Sequence, residues 1–318
     1  MARRSASEFA EPTPSGHSRA SARPLVPSLL TSLRPRQWTK NLIIFAALLF
    51  GQRLTDPRSI GRSAAAFAIF CVLSGVVYLV NDVVDREADR LHPLKAKRPI
   101  AAGDLSTGAA LTAALVLGAV GLGAAYGLGV EFGHVALAYV ALLACYSGPL
   151  KHIVIVDALT IAVGFVLRAV AGAVVIGVPI SHWLLVLTIQ LALFLALAKR
   201  RHELVELAAQ ATNHRASLGE YTPGLLDQLI AIVAASTLIA YAVYTISPET
   251  VAKFGTDWLG LTLPFPIYGI FRYLYLVHRR ADGGNPSETL LTDRPLLACV
   301  ALWGLAVIII IYVRPFSA

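Results

Sequence analysis

Three aspartates with helical spacing are the residues of this sequence best suited to chemistry. Asp82, Asp85 and Asp89 follow an apolar stretch, and at about 100° per residue they fall within about 60° of one helix face. Carboxylates placed so close repel one another, and they are stable together only when cations share their charge. The partial negative charge of a helix C-terminus favours a cation there as well.

Magnesium is the cation that these aspartates predict. Mg2+ in proteins takes one or two carboxylates and completes its shell with waters and substrate phosphate oxygens. The sequence therefore predicts a diphosphate site in which Asp82, Asp85 and Asp89 hold the metal and the Asn81 amide takes part in catalysis. The simpler alternative is a solvated acidic turn, neutralised by the nearby cations Arg86, Arg90, Lys95, Lys97 and Arg98.

The composition predicts that a lipid bilayer surrounds this site. The 318 residues are 56% hydrophobic and only 14% charged, whereas soluble domains carry about a quarter charged residues. The net charge is +8, but no nucleic-acid-binding signature accompanies it, so nucleic acid is not an expected partner. The three cysteines all lie in apolar stretches and do not indicate a disulfide framework.

Nine apolar segments approach the length of about 20 residues that a membrane span needs. They are 37–52, 62–81, 107–128, 131–148, 153–178, 181–198, 225–247, 256–277 and 295–313. The predicted fold is an all-α, polytopic membrane helix bundle of about nine transmembrane helices. The first segment is the weakest, because its apolar run is short, and an interfacial start is the alternative for it. Residues 1–32 are predicted to be a disordered cytoplasmic tail, and 33–318 the catalytic membrane domain.

The basic residues predict the orientation of the bundle. With nine spans, twenty of the 27 Lys and Arg residues fall on the side that carries the N-terminus and the aspartates. Five fall on the other side, so the positive-inside rule makes the N-terminus and the active face cytoplasmic. Small residues in the third and fifth segments suit close helix packing, and they are Gly118, Gly121, Gly123, Gly127, Gly164, Ala169 and Gly172.

The motif Asn-Asp-x-x-Asp-x-x-x-Asp at 81–89 resembles the first aspartate-rich motif of the UbiA superfamily of intramembrane prenyltransferases. The stretches 34–41, 97–103 and 146–151 resemble that family too, and the likeness covers the chain after about residue 30. It implies a helical bundle around a cavity that opens to lipid, capped by cytoplasmic loops, in a bacterial plasma membrane. Whether copies assemble into a homo-oligomer is left open.

The second acidic motif of the common family members is not evident here. Those members move a prenyl group from a prenyl diphosphate to an aromatic acceptor, whereas 198–206 of this chain begins with Lys199, Arg200 and Arg201 and lacks an aspartate pair. Lys and Arg bind phosphate directly, which suits a site that holds more phosphate than one diphosphate. This stretch resembles the branch of the superfamily that transfers 5-phosphoribose from 5-phosphoribosyl 1-diphosphate (PRPP) to a decaprenyl-type polyprenyl phosphate.

That resemblance implies a Mg2+-dependent displacement at ribose C1 that releases diphosphate and makes a precursor of cell-envelope arabinan. The attacking lipid phosphate is already an anion, so positioning and electrostatics suffice without a strong base. The predicted substrate-binding residues are Lys40, Asn41, Arg98, Tyr146, Lys151, Lys199, Arg200, Arg201, Glu203 and Tyr221. Each lysine or arginine near the end of a span has a second interpretation, as a topological anchor.

Two alternatives accompany this prediction. An aromatic prenyltransferase of the 4-hydroxybenzoate type is favoured if Glu203 and Glu206 act as a degenerate second acidic motif. A secondary transporter is disfavoured, because the acidic cluster lies at the interface and no paired broken helices are evident.

Asp157 and Arg168 lie on one face of the fifth segment but about 16 Å apart, too far to pair directly. Arg168 is predicted to bind a carbonyl or an acid of another element as a structural partner.

Overall fold

The computed structural model describes residues 24–313 except 94, 209–218 and 280–285. Every regular element within those residues is helical, which confirms the predicted all-α class. The α-helices are α1 Leu25–Ser32, α2 Ala46–Phe50, α3 Pro57–Val84, α4 Arg86–Leu91, α5 Pro99–Ala102, α6 Thr107–Leu128, α7 Val130–Ser147, α8 Val156–Val175, α9 His182–Ala208, α10 Pro223–Ile246, α11 Pro248–Phe254, α12 Pro264–Arg279, α13 Pro286–Thr292 and α14 Arg294–Tyr312. Four 3-10 helices join them, Pro35–Phe45, Lys95–Lys97, Leu150–His152 and Trp258–Thr262.

Seven of these helices are long and apolar enough to cross a membrane. They are α3, α6, α7, α8, α9, α10 and α14, and they coincide with seven of the nine predicted segments. The protein is therefore a multi-pass membrane protein. The predicted segment 256–277 consists of a short 3-10 helix followed by α12, and the total of nine spans stays a prediction.

The first predicted segment crosses the bundle in a stretched form. Eleven residues of 3-10 helix, Pro35–Phe45, precede the five residues of α2, and we call residues 35–50 together the stretched segment. A 3-10 helix rises about 2.0 Å per residue against 1.5 Å for an α-helix, so these sixteen residues extend about 30 Å. That length equals the hydrocarbon core of a bilayer. The segment packs between α3 and α8, which explains how a short apolar run spans the fold.

Side-chain caps define where the long helices begin. Asp56 accepts hydrogen bonds from the backbone N–H groups of the first turn of α3, and Ser106, Thr222 and Asp293 do the same for α6, α10 and α14. Each cap satisfies an N–H group that has no partner inside its helix. Of the predicted tail 1–32, residues 1–23 lie outside the described residues, and Leu25–Ser32 forms α1.

Only some of the predicted small residues lie at close helix contacts. A Cβ added at Gly172 would meet the backbone carbonyl of Ile44 in the stretched segment, and one added at Gly121 would meet the Leu73 side chain. Gly123 and Gly127, in contrast, face open space. Gly172 therefore lets the stretched segment lie directly against α8.

We expect Gly172→Ala to lower the stability of the protein by about 1–3 kcal/mol, because backbone atoms of Ile44 must move to admit the new methyl group. Gly123→Ala is the matched control in a helix and should leave stability unchanged or slightly raised. Thermal unfolding of both variants in detergent is the measurement. Equal melting temperatures for the two variants would contradict the close contact.

Candidate active site

The aspartates lie where α3 passes into α4, at the end of the bundle that we call the acidic end. Asp82 is in the last turn of α3, and Asp85 breaks the helix with φ −88° and ψ 6° before α4 begins. The side chain of Asp82 is only 2% exposed, and its Oδ1 accepts hydrogen bonds from Arg34 and, at 3.1 Å, from Arg98. The same Arg98 nitrogen lies 2.6 Å from Asp89 Oδ2, so one guanidinium bridges two aspartates.

Asp85 has its own cation. Its Oδ1 lies 2.5 Å from Lys151 Nζ, and its Oδ2 accepts a hydrogen bond of 3.0 Å from the Asn81 amide. Lys151 comes from the 3-10 turn Leu150–His152 between α7 and α8. Three chain segments distant in sequence thus supply the cations that let the carboxylates approach one another, as their mutual repulsion requires.

The donor atoms at this end suit a magnesium ion that arrives with a phosphate. Among the described residues, no three acidic, histidine or cysteine side chains converge closely enough to hold a metal by themselves. Mg2+ does not need such a cage, because one or two carboxylates plus substrate oxygens and waters complete its shell. Asp85 and Asp89 line the cavity described below and are hard oxygen donors of this kind. The residues present therefore fit the ion.

Arg34 is a site residue that the sequence motif did not single out. It adopts the left-handed conformation with φ 52° directly before the stretched segment, which turns its guanidinium towards Asp82. The guanidinium also lies 4.8 Å from the ring centroid of Tyr78. Burial lowers the pKa of Arg34 from its ordinary value, and the charge of Asp82 opposes that shift.

The wall opposite the aspartates is built on α9. Arg200 is 1% exposed, and its guanidinium contacts Asp157 Oδ2 at 2.7 Å, Glu203 Oε2 at 2.5 Å and the Tyr146 hydroxyl at 3.0 Å. Lys199 lies 3.6 Å from the other oxygen of Glu203. Asp157 therefore pairs with a neighbouring helix rather than with Arg168. The Glu203 carboxylate is engaged by two cations, as the aspartates are.

Tyr221 supports this wall from behind. Its buried hydroxyl donates to Asp157 Oδ1 at 3.0 Å and accepts from the backbone N–H of Ile155 at 2.7 Å. Ile155 has φ 68°, a strained conformation for a β-branched residue, and it follows the turn that carries Lys151. Burial, together with the nearby Asp157 charge, raises the pKa of Tyr221 to about 12, so the hydroxyl remains a donor at neutral pH.

Two further predicted ligands lie away from the cavity. Arg201 pairs with Asp227, whose carboxylate is also 3.4 Å from His278 Nε2. Asn41 is fully buried, and its Oδ1 accepts a hydrogen bond of 2.7 Å from Arg168 Nε. The prediction that Arg168 has a structural partner agrees with this contact.

A large cavity joins these groups to the interior of the bundle. Its volume is about 2690 Å³, and it extends from the aspartates to Lys253 of α11 at the opposite end. Ten predicted site residues line it, Lys40, Asn81, Asp85, Asp89, Arg98, Tyr146, Lys151, Lys199, Arg200 and Glu203. Asn41, Asp82, Arg201 and Tyr221 do not, because each is turned into a contact between elements.

Sequence reasoning missed Arg34 and Tyr78, and it did not find the partner of Asp157. Tyr78 lies one helical turn before Asp82 and lines the cavity, so its i−4 spacing is a signal that could have found it. Arg34 stands far from the aspartates in sequence, and only the path of the stretched segment brings it to Asp82.

Membrane-crossing helices surround a long apolar cavity, and paired acids and cations close one end of it. This arrangement defines an integral membrane protein suited to bring a lipid chain to charged groups. The model of the UbiA prenyltransferase family matches residues 41–291. The chain belongs to that family, and it is a transferase.

Known proteins resemble the chain over most of its length. The decaprenyl-phosphate phosphoribosyltransferase of Corynebacterium glutamicum is 34% identical over 92% of this chain and 89% of its own. The enzyme of the same name from Mycobacterium tuberculosis is 34% identical over 89% and 95%. The solved structure of a UbiA homologue from Archaeoglobus fulgidus bound to GPP and Mg2+ superposes with a TM-score of 0.69 at 20% identity. The match covers 89% of this chain and 99% of the Archaeoglobus chain, and it confirms the predicted UbiA-like helical fold.

Asp82→Asn and Asp85→Asn should both abolish transfer, but they should differ in stability. Asp82 is itself buried and pairs with two partly exposed guanidinium groups, of which only Arg98 keeps another aspartate, so neutralising it should cost about 3–5 kcal/mol. Asp85 is 29% exposed and has one cationic partner, the buried Lys151, so its loss should cost less than that of Asp82. Melting temperatures in detergent and transfer rates test this prediction. Full activity in both variants would contradict a metal site at these aspartates.

We expect Tyr221→Phe to lower kcat about tenfold with little change in KM, because the two buried hydrogen bonds of its hydroxyl, to Ile155 and Asp157 beside the Lys151 turn, are lost. Tyr268→Phe, on an exposed tyrosine of α12, is the control. A rise in KM at constant kcat would instead mean that Tyr221 contacts substrate.

Proposed function

We propose that this chain transfers 5-phosphoribose from PRPP to a polyprenyl phosphate in a bacterial plasma membrane, with Mg2+, and releases diphosphate. The observation that carries the proposal is the excess of cations at the acidic end of the cavity. Among the described residues, the wall there carries Arg34, Lys40, Lys95, Arg98, Lys151, Lys199 and Arg200 against Asp85, Asp89 and Glu203. Two phosphorylated substrates match this balance better than a single prenyl diphosphate with an uncharged acceptor.

The relatives support the same activity. The Corynebacterium and Mycobacterium enzymes are named for transfer of phosphoribose to decaprenyl phosphate, and the likeness covers nearly their whole length. The proposed product is a precursor for cell-envelope arabinan. The positive-inside pattern supports a cytoplasmic location for the acidic end, where water-soluble PRPP is accessible.

Asp85 and Asp89 would hold the metal from the cavity wall, and Asp82, which pairs with Arg34 and Arg98 behind that wall, would keep those cations beside the site. A bound Mg2+ would supply Lewis-acid stabilisation of the charge on the departing diphosphate. Arg34, Arg98 and Lys151 would exchange carboxylate partners for phosphate oxygens, so the cations that neutralise the aspartates would also bind the substrate.

The rest of the wall would orient the reactants. Tyr146, Lys199 and Glu203 face the cavity across from the aspartates and would contact the ribose 5-phosphate and its hydroxyls, while Arg200 fixes their spacing. The oxygen of the lipid phosphate attacks C1 as the C1–O bond to diphosphate breaks. No base is needed, because the attacking oxygen carries no proton, and catalysis rests on position and charge.

The direct test incubates purified protein with Mg2+, PRPP labelled in the ribose and polyprenyl phosphate, beside a second reaction with labelled prenyl diphosphate and 4-hydroxybenzoate. Label should enter the lipid phase in the first reaction, stop when a chelator removes Mg2+, and resume when Mg2+ is restored. Product only in the second reaction would overturn the proposal in favour of aromatic prenyl transfer.

Neighbouring residues on α9 allow a sharper test. Lys199→Gln should raise the KM for PRPP about tenfold or more, because a cation in contact with phosphate is lost. Arg201→Gln should leave that KM unchanged, because Arg201 faces Asp227 instead of the cavity. Equal increases in both variants would restore the prediction from sequence that all three cations of 199–201 bind phosphate.

A further inference from the structure

Two cations that line the cavity on the side of the aspartates have no carboxylate partner among the described residues. Arg34, Arg98 and Lys151 are each paired with an aspartate. Lys40, in the stretched segment, and Arg168, in α8, also line the cavity, yet neither forms an ion pair within the part of the chain that the structure describes. They lie on the membrane side of the aspartates, where an uncompensated charge is costly and marks a functional site.

Arg168 is fixed entirely by neutral groups. It is 5% exposed, and it donates to Asn41 Oδ1 at 2.7 Å, to the Gly164 carbonyl at 3.0 Å and to the Tyr139 hydroxyl at 2.6 Å. The rings of Tyr139 and Phe165 lie 4.6 and 5.0 Å from its guanidinium carbon. These contacts hold the guanidinium in place but leave its positive charge intact.

The side chain of Arg168 leans towards the acidic end. Side chains on an α-helix tilt towards its N-terminus, and α8 begins at the acidic end with Asp157. The hydrogen bond to the carbonyl of Gly164, one turn earlier, shows this direction. The guanidinium therefore lies between the apolar interior and the aspartates.

Lys40 reinforces the same positive region. Lys40 directly precedes Asn41, whose side chain accepts the hydrogen bond of Arg168, and Lys40 lines the same cavity as Arg34, Arg168 and Lys199. Arg34 and Lys199 have carboxylate partners, whereas Lys40 and Arg168 have none, so an anion bound between these two would relieve their repulsion. Below it the cavity is bordered by apolar and aromatic side chains, among them Phe165, Leu187 and Trp303.

We propose that Lys40 and Arg168 bind the phosphate monoester of the lipid acceptor, separately from the aspartates that hold the diphosphate of the donor. The assignment rests on the proposed function, because the lipid phosphate is one of the two substrates proposed there. The lipid phosphate would neutralise the two cations, and its chain would continue along the apolar wall. The phosphate oxygen would then face the ribose from the membrane side, while diphosphate leaves on the aspartate side.

Binding measured without turnover tests this assignment. Purified protein in detergent is titrated with polyprenyl phosphate and with the polyprenol of equal chain length, and PRPP with Mg2+ is titrated separately. The wild type should prefer the phosphate over the alcohol, and Lys40→Gln should reduce that preference tenfold or more with PRPP affinity unchanged. Lys40→Arg should retain most of the preference. Lys253→Gln, which removes a lysine at the opposite end of the same cavity, should retain all of it.

A second pair of variants separates the charge of Arg168 from its structural bonds. Tyr139→Phe removes one hydrogen bond and keeps the charge, so it should keep the preference for phosphate, whereas Arg168→Gln should lose it. An unchanged preference in Lys40→Gln, or an equal loss of PRPP affinity, would overturn the assignment. A wild type that prefers lipid phosphate but transfers no phosphoribose would disprove only the proposed function.

Discussion

Charge pairing at the acidic end is the interaction on which the rest of the structure depends. Three aspartates occupy the junction of α3 and α4, and they can do so only because cations reach them from the start of the first segment, from the loop before α5 and from the turn before α8. Each pair also fixes the end of a different helix. The same contacts therefore close the bundle and shape the mouth of its cavity.

The arrangement divides the cations by role. Those near the aspartates have acidic partners and can change partners when phosphate and metal enter, whereas Arg168 and Lys40 are held among neutral or positive groups. Arg200 is a third kind, buried between Asp157 and Glu203, where it joins α8 to α9. Removing one partner of such a buried pair lowers stability far more than replacing the whole pair by apolar residues would, because a buried charge is left uncompensated.

Much of this was predictable from the sequence, because apolar length, basic asymmetry and the spacing of the aspartates are local properties. The all-α membrane fold, seven of the spans and the aspartate cluster follow from them, whereas most of the other cavity-lining residues were predicted from the resemblance to the UbiA family. Contacts across the bundle were not predictable. Neither the approach of Arg34 to Asp82 nor the turning of Arg201 towards Asp227 has a signal in sequence spacing, since each depends on how separate helices cross.

The winding of the first segment follows from the positions of its ends. Arg34 is bound to Asp82 at one end, and at the other the hydroxyl of Tyr312 donates to the carbonyl of Leu49 at 2.8 Å. Were the eleven 3-10 residues wound as an α-helix, the segment would be about 5 Å shorter and could not reach both anchors. The distance between the two anchors therefore sets the length of the segment. The thickness of the bundle, rather than the helix propensity of these residues, selects the longer 3-10 helix.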